Sequence, residues 1–236
     1  MFKICSVGVL VLLLGGCGAP KLRQASPPIS TGTAASRAAP PGRVYRIDEN
    51  QSELRVLVYR AGPLARFGHN HVIVNRAVRG SVSVADAAAG GPEFSLTVPA
   101  AGFVVDDAQA RREEGADFAA EVPDDARTGT LHNMLSTAVL DTDEFPVILV
   151  SGVLAAASHD PAESGGMTAA VAFSIAGHES KIEVPFALQI DAAHLSATGT
   201  LELRQSALGL TPYSLMLGAL QVQDTMTLKF KIVADL

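Results

Sequence analysis

The chain has 236 residues, 48% of them hydrophobic, with no tryptophan and two cysteines. Four charges precede position 43, namely Lys3, Lys21, Arg23 and Arg37, so the remainder holds 14 basic and 24 acidic residues, a net of −10. Such a balance excludes an electrostatic footprint for nucleic acid and gives no attraction to anionic headgroups.

Residues 1–16 carry Lys3 and then an apolar run from Ile4 to Leu14. About eleven apolar residues are too few for a membrane-spanning helix but fit the hydrophobic region of a secretory signal peptide. Leu14-Gly15-Gly16-Cys17 resembles the lipobox of bacterial lipoproteins, where the signal is cut before the cysteine and the cysteine is lipidated. A plain signal peptide or a short anchor with an incidental cysteine is the alternative. Cys5 leaves with the signal, so Cys17 is the lone cysteine of the mature chain and has no internal disulfide partner. Lipidation accounts for it. The expected location is the bacterial cell envelope, lipid-anchored and facing the periplasm. Gly18 lacks the acidic character that retains some lipoproteins at the inner membrane, which leaves the outer membrane as the default. Residues 17–42 are rich in Pro, Ala, Ser, Thr and Gly without apolar periodicity, as in a disordered tether.

Residues 43–236 form the expected domain. Leu54, Val56 and Val58 alternate as a half-buried strand. The chain then breaks at Gly62-Pro63 and Gly68, and resumes as His69-Asn70-His71 feeding Val72-Ile73-Val74. Residues two apart on a strand share a face, so the two imidazoles are expected to point the same way. Two readings stay open. The pair either flanks a turn, bonded to backbone or water, or contacts a ligand or metal, for which it supplies half of a usual zinc shell.

Further along, Phe94-Leu96-Val98, Val171-Phe173-Ile175, Ile182-Val184-Phe186-Leu188-Ile190 and Leu228-Phe230-Ile232 alternate with polar or small residues. Each predicts a strand with one apolar face. Turns are expected at Gly90-Gly91-Pro92, from His159 to Gly166, at Gly177, and from Asp191 to His194. One stretch, residues 106–138, is predicted helical. Leu131, Met134, Leu135 and Val139 recur at helical spacing and are expected to lie on the sheet. Its acids, Asp106-Asp107, Glu113-Glu114 and Asp124-Asp125, read as a solvated face, with no acid/base pair set by spacing. Strands without βαβ alternation imply a mainly β fold, an antiparallel barrel with a helical insertion; a sandwich has the same period.

Several motifs resemble the YceI-like family of exported proteins. Tyr45-Arg46-Ile47-Asp48 with Ser52 is similar to its opening strand. Asn133-Met134-Leu135, Leu140-Asp141 and Phe145-Pro146-Val147-Ile148 resemble its helix and the long strand after it. Gly177-His178-Glu179 before Val184-Pro185 resembles the turn and strand after its central hairpin. The closing strands are matched by Leu208-Gly209-Leu210-Thr211-Pro212, Gly218-Ala219-Leu220 and Val222-Gln223-Asp224. Where many members have a Gly-x-Phe-x-Gly hairpin, this chain has Gly68-His69-Asn70-His71, a variant built on a Gly-His pair.

The resemblance implies a lipocalin-like, up-and-down barrel that binds or carries polyisoprenoid or isoprenoid-quinone chains. The candidate lining is Phe94, Leu96, Phe173, Ile175, Phe186 and Leu188, on the apolar faces of clearly alternating strands, with His69 and His71 as further ligand contacts. Small residues at Ala169, Ala170, Ala172 and Ala187 either leave a channel or admit the helix closely. Val147-Ile148-Leu149-Val150 is apolar on both faces and calls for cover outside, for which the helix is the candidate. No cofactor is expected beyond a bound isoprenoid lipid. The alternative from another class is a metal or redox-centre binder using His69 and His71 with His132 or His178. An envelope enzyme acting on a small apolar substrate is the third reading. It lacks a Gly-x-Ser-x-Gly elbow, a phosphate loop or a free cysteine to support it.

Overall fold

A computed structural model describes residues 42–85, 91–154, 167–191 and 193–236. The signal, lipobox and tether, and the turn from His159 to Gly166, lie outside the described residues. The strands are β1 (Gly42–Ile47), β2 (Glu53–Val58), β3 (Arg60–Ala61), β4 (His71–Asn75), β5 (Arg79–Ala85), β6 (Glu93–Pro99) and β7 (Phe103–Val105). Two helices follow, α1 (Ala108–Glu113) and α2 (Asp124–Leu135). The second half is β8 (Val147–Leu154), β9 (Met167–Ile175), β10 (His178–Ile190), β11 (His194–Arg204), β12 (Ser214–Leu215), β13 (Leu220–Val222) and β14 (Thr225–Asp235).

Three pairs of these are single strands bent once: β1 with β2, β4 with β5, and β6 with β7. Both halves of each pair face the same neighbours, as β1 and β2 both pair with β14, while β5 and β4 pair with β1 and β2 in turn. Counted so, eight antiparallel strands run in sequence order, and β14 closes the ring against β1 through Arg46–Asp235 and Ile47–Ala234. This closed barrel removes the open edges a sandwich would keep. Among the described residues the ring closes on its own strands and is filled by its own core clusters, which is what a unit needs to fold by itself.

Side chains fill the gaps that the bends open in the ladder. Between β1 and β2, the Ser52 hydroxyl donates to the Val233 carbonyl (3.2 Å) and accepts from the Val233 amide (3.0 Å). Between β4 and β5, Asn75 donates to the Pro99 carbonyl (2.8 Å) and accepts from the Ala77 amide (2.9 Å). Both are buried and both are hydrogen-bonded as donor and acceptor, as buried polar groups are. Tyr45 is buried too, its hydroxyl donating to the Asp191 carbonyl at 2.9 Å. The opening motif is thus a set of barrel-closing contacts. The β9–β10 hairpin turns on Ala176 and Gly177, both left-handed (φ 49° and 75°), as a tight two-residue hairpin requires.

The two ends of the barrel differ. One end holds the start of β1, the end of β14 and the Asp191–His194 turn. The other holds the long connections: residues 59–70, the helical insertion 106–146, and residues 205–224. The insertion corrects two expectations. It does not cover the outside of β8, where Val147, Leu149 and Val153 stay exposed. Instead Met134, Val139 and Leu140 reach the barrel interior from this end. Nor are its acids all solvated. Asp106 is buried, and the buried Glu114 carboxylate takes Arg55 (2.8 Å) and Lys229 (2.5 Å), fastening α1 to the outer wall. Asp107 accepts from the Ala110 amide as the cap of α1.

Candidate functional site

The inward residues of the eight strands surround a cavity of about 250 Å³. Phe94, Leu96, Phe173, Ile175, Phe186 and Leu188 all stand on its wall, with Val58 and Ile73 at the insertion end and Val82, Leu154 and Leu195 at the other. Among the described residues Gln205 is the one polar side chain on the lining. An apolar cavity of even about 150 Å³ stays dry and takes up apolar guests, so this one has no use for water. Ala169 and Ala197 line it, but Ala170, Ala172 and Ala187 do not. On β9 the odd-numbered residues Val171, Phe173 and Ile175 point inward, so the two-residue period turns Ala170 and Ala172 outward; Ala187 is outward beside Phe186 for the same reason. These outward alanines leave no channel.

Three polar groups of the described residues lie on the inward side at the insertion end. Ser180 shares the inward side of β10 with Val184 and Phe186, and its buried hydroxyl has no hydrogen-bond partner among the described residues. Gln205, at the end of β11, donates to the Gln223 carbonyl at 2.7 Å. His71, buried at the start of β4 beside Ile73, completes the set.

Two side chains of the helical insertion hold His71. Its Nδ1 donates to Asp106 Oδ2 at 2.6 Å, and its Nε2 lies 3.2 Å from the Thr130 hydroxyl of α2. Asp106 is a non-glycine residue at positive φ (58°), directly after β7. Its amide donates to the Val72 carbonyl (2.7 Å), and its Oδ1 accepts from the Val72 amide (3.0 Å). The carboxylate therefore extends the β4–β7 ladder by one rung while facing His71. Arg111 of α1 pairs with the same carboxylate and donates to the carbonyls of Asn70 (2.9 Å), Phe118 (2.7 Å) and Ala120 (2.9 Å). Burial pushes the Asp106 carboxyl up, but the bonds from His71, Val72 and Arg111 outweigh it and hold the group below its ordinary value. For His69, burial first and then the neighbouring His71 push the imidazole down. The two rings lie 6.0 Å apart, centre to centre.

The metal alternative is not assembled. Among the described residues no three His, Cys, Asp or Glu side chains gather to hold an ion. His71 spends Nδ1 on Asp106 beside the Arg111 cation, and His132 is exposed on α2. His178 is also exposed, packed against Gly209. Sequence reasoning missed Asp106, Arg111, Thr130 and Ser180. The only local signal for Asp106 was its place at the end of an apolar strand, Phe103–Val105, and acids there usually meet water.

Residues 45–234 match the family model described as the YceI-like domain. No curated protein matches the chain. Among solved structures, BcnA of Burkholderia cenocepacia is similar with 14% identity and a TM-score of 0.55, over 80% of this chain and 99% of that one. A polyisoprenoid binding domain from Saccharophagus degradans, implicated in plant cell wall breakdown, has 13% identity and a TM-score of 0.51, over 81% and 97%. At such identities the likeness is one of fold, the same eight-stranded ring. With the family match running from Tyr45, which helps close the barrel, to Ala234, which pairs β14 with β1, the chain belongs to the YceI-like family.

Proposed function

We propose that this protein binds and carries an amphiphilic, largely apolar ligand of the polyisoprenoid or isoprenoid-quinone type. The observation that carries the reading is the cavity itself, closed by eight strands and lined by apolar side chains with Gln205 the single polar exception among the described residues. The solved domain from Saccharophagus degradans, described as polyisoprenoid binding, supports it. The tail lies among Phe94, Leu96, Phe173, Ile175, Phe186 and Leu188. The polar end lies at the insertion end, where Ser180 has an unused hydroxyl and the bonded His71 and Thr130 side chains stand nearby. His69 flanks that position. The role is binding, not catalysis: the His71–Asp106 pair is committed to seating the insertion.

Apolar burial stabilises by roughly 25 cal/mol per Å², so each isoprene unit contributes on the order of 1 kcal/mol. Isoprenoid alcohols of rising length should therefore raise the melting temperature of the domain in steps until the cavity is full. A melting temperature indifferent to all of them would remove the proposal.

We further propose that the protein is a lipoprotein of the bacterial envelope, with a signal over residues 1–16, acylation at Cys17, and a tether to residue 42 that leaves the barrel facing the periplasm at the outer membrane. Cys17→Ser is then expected to move the protein from the detergent phase to the aqueous phase, or to leave it uncleaved. A lipidated cysteine carries more than one chain, and a single chain anchors only marginally. Partitioning unaffected by the substitution would refute the anchor.

A further inference from the structure

The insertion end of the barrel carries an apolar tip. Phe67 is 63% exposed and Met216 71%, with Leu217 fully exposed and Leu215 nearly half so. They come from two loops that are joined to each other. β3 pairs with β13, and the Leu64 amide donates to the Ala219 carbonyl at 2.8 Å. At Gly62 (φ 89°) a Cβ would lie 2.7 Å from the Gly218 carbonyl oxygen, so the glycine is what lets the loops touch. At the summit Met216 and Leu217 are both left-handed (φ 50° and 56°), a conformation that costs free energy for residues with a side chain. That backbone holds the side chains out into solvent rather than tucking them under the loop.

Two cations stand beside this tip. Arg66 stacks on the Phe67 ring at 4.4 Å, and Arg60 donates to the Gly68 carbonyl at 2.7 Å. Among the described residues neither forms an ion pair with a carboxylate, whereas Arg55, Arg76 and Arg79 on the outer wall do. The segment that bears the tip also opens on the cavity, through Leu208 and Leu210. Apolar side chains at the summit with guanidinium groups on the flank match the layering of a bilayer surface, hydrocarbon beneath phosphate.

We propose that this end of the barrel docks on a lipid bilayer, Phe67, Met216 and Leu217 entering the acyl boundary and Arg60 and Arg66 meeting phosphate, so that a ligand moves between membrane and cavity without crossing water. The clause on ligand transfer rests on the function proposed above; the docking does not. The acidic balance of the domain gives no long-range attraction, so apolar insertion supplies the binding and the arginines act only within a Debye length.

The test uses the chain from Gly42, which lacks Cys17, and vesicles of phosphatidylcholine alone or with one quarter phosphatidylglycerol. The protein should float with both, somewhat more with the second, and largely retain this in 0.5 M salt. Met216→Ser with Leu217→Ser should reduce binding about tenfold or more, and Arg60→Ala with Arg66→Ala should remove the increment due to phosphatidylglycerol. Because these side chains are exposed, melting temperature and uptake of a detergent-dispersed isoprenoid alcohol should be unchanged, while uptake from vesicles slows. Absence of flotation, equal flotation of the serine variant, or a concentration-dependent dimer lost in that variant would overturn docking. If the wild type floats but no alcohol is taken up from detergent either, docking stands and the carrier function fails.

Discussion

Replacing Asp106 with alanine is expected to destabilise the domain by about 3–5 kcal/mol, the usual cost of removing one partner from a buried ion pair. The change strands the Arg111 guanidinium, the Nδ1 proton of His71 and the Val72 amide at once. Arg111 in turn holds the carbonyls of Asn70, Phe118 and Ala120, so the seam between the barrel and the helical insertion loosens with it. In a domain of this size the loss corresponds to roughly 10 °C in melting temperature. Asp106→Asn keeps one acceptor oxygen and should cost less. Urea unfolding of both variants gives the comparison, and a loss below about 1 kcal/mol in the alanine variant would mean the seam is not held here. Acid should mimic the substitution. The Asp106 carboxyl lies below its ordinary value of 3.8 in the folded protein, so its contribution is complete above that value and disappears as pH falls through the lower, folded one.

The second large effect is expected inside the barrel. Phe173 sits on β9 opposite Val150 of β8, both on the cavity wall. Phe173→Asp puts a carboxylate among apolar side chains with no cation near, so the group must either stay protonated or draw in water. Ligand binding should be lost by at least about a hundredfold, and stability should fall by several kcal/mol at neutral pH. Recovery of stability at low pH, where the carboxyl is neutral, would separate the charge from simple loss of the ring. Phe173→Leu is the companion: it keeps an apolar wall and enlarges the cavity. Retained binding in the leucine variant with loss in the aspartate variant is the expected pattern. Binding that survives both would place the ligand elsewhere.

The fold was legible where physics is local. The alternation at Val171-Phe173-Ile175 and Val184-Phe186-Leu188 predicts which side chains meet in the interior, because the side-chain period of a strand is two residues. Closure into a ring was not legible from that pattern, since a sandwich has the same period. It rests on β14 reaching two neighbours and on Ser52 bridging a gap in the ladder. The outward face of β8 misled for a related reason: apolar residues at Val147, Leu149 and Val153 suggested cover that the fold does not supply. The site was harder still. His69 and His71 stand out in the sequence, but the partners of His71 come from residues 35 and 59 positions away, Asp106 and Thr130. An aspartate among other acids reads as solvated. Only the three-dimensional arrangement shows that Arg111, the Val72 amide and His71 converge on it.

The central claim is that the barrel carries an apolar chain. The most direct measurement is to purify the full-length protein from its native envelope in mild detergent, extract it with organic solvent, and identify what is released by mass spectrometry against a mock purification. An isoprenoid-type lipid at near-stoichiometric amount, absent from the mock and lost in Phe173→Asp, is the expected result. Protein that yields only bulk phospholipid in the proportions of the mock, from wild type and variant alike, would contradict the account.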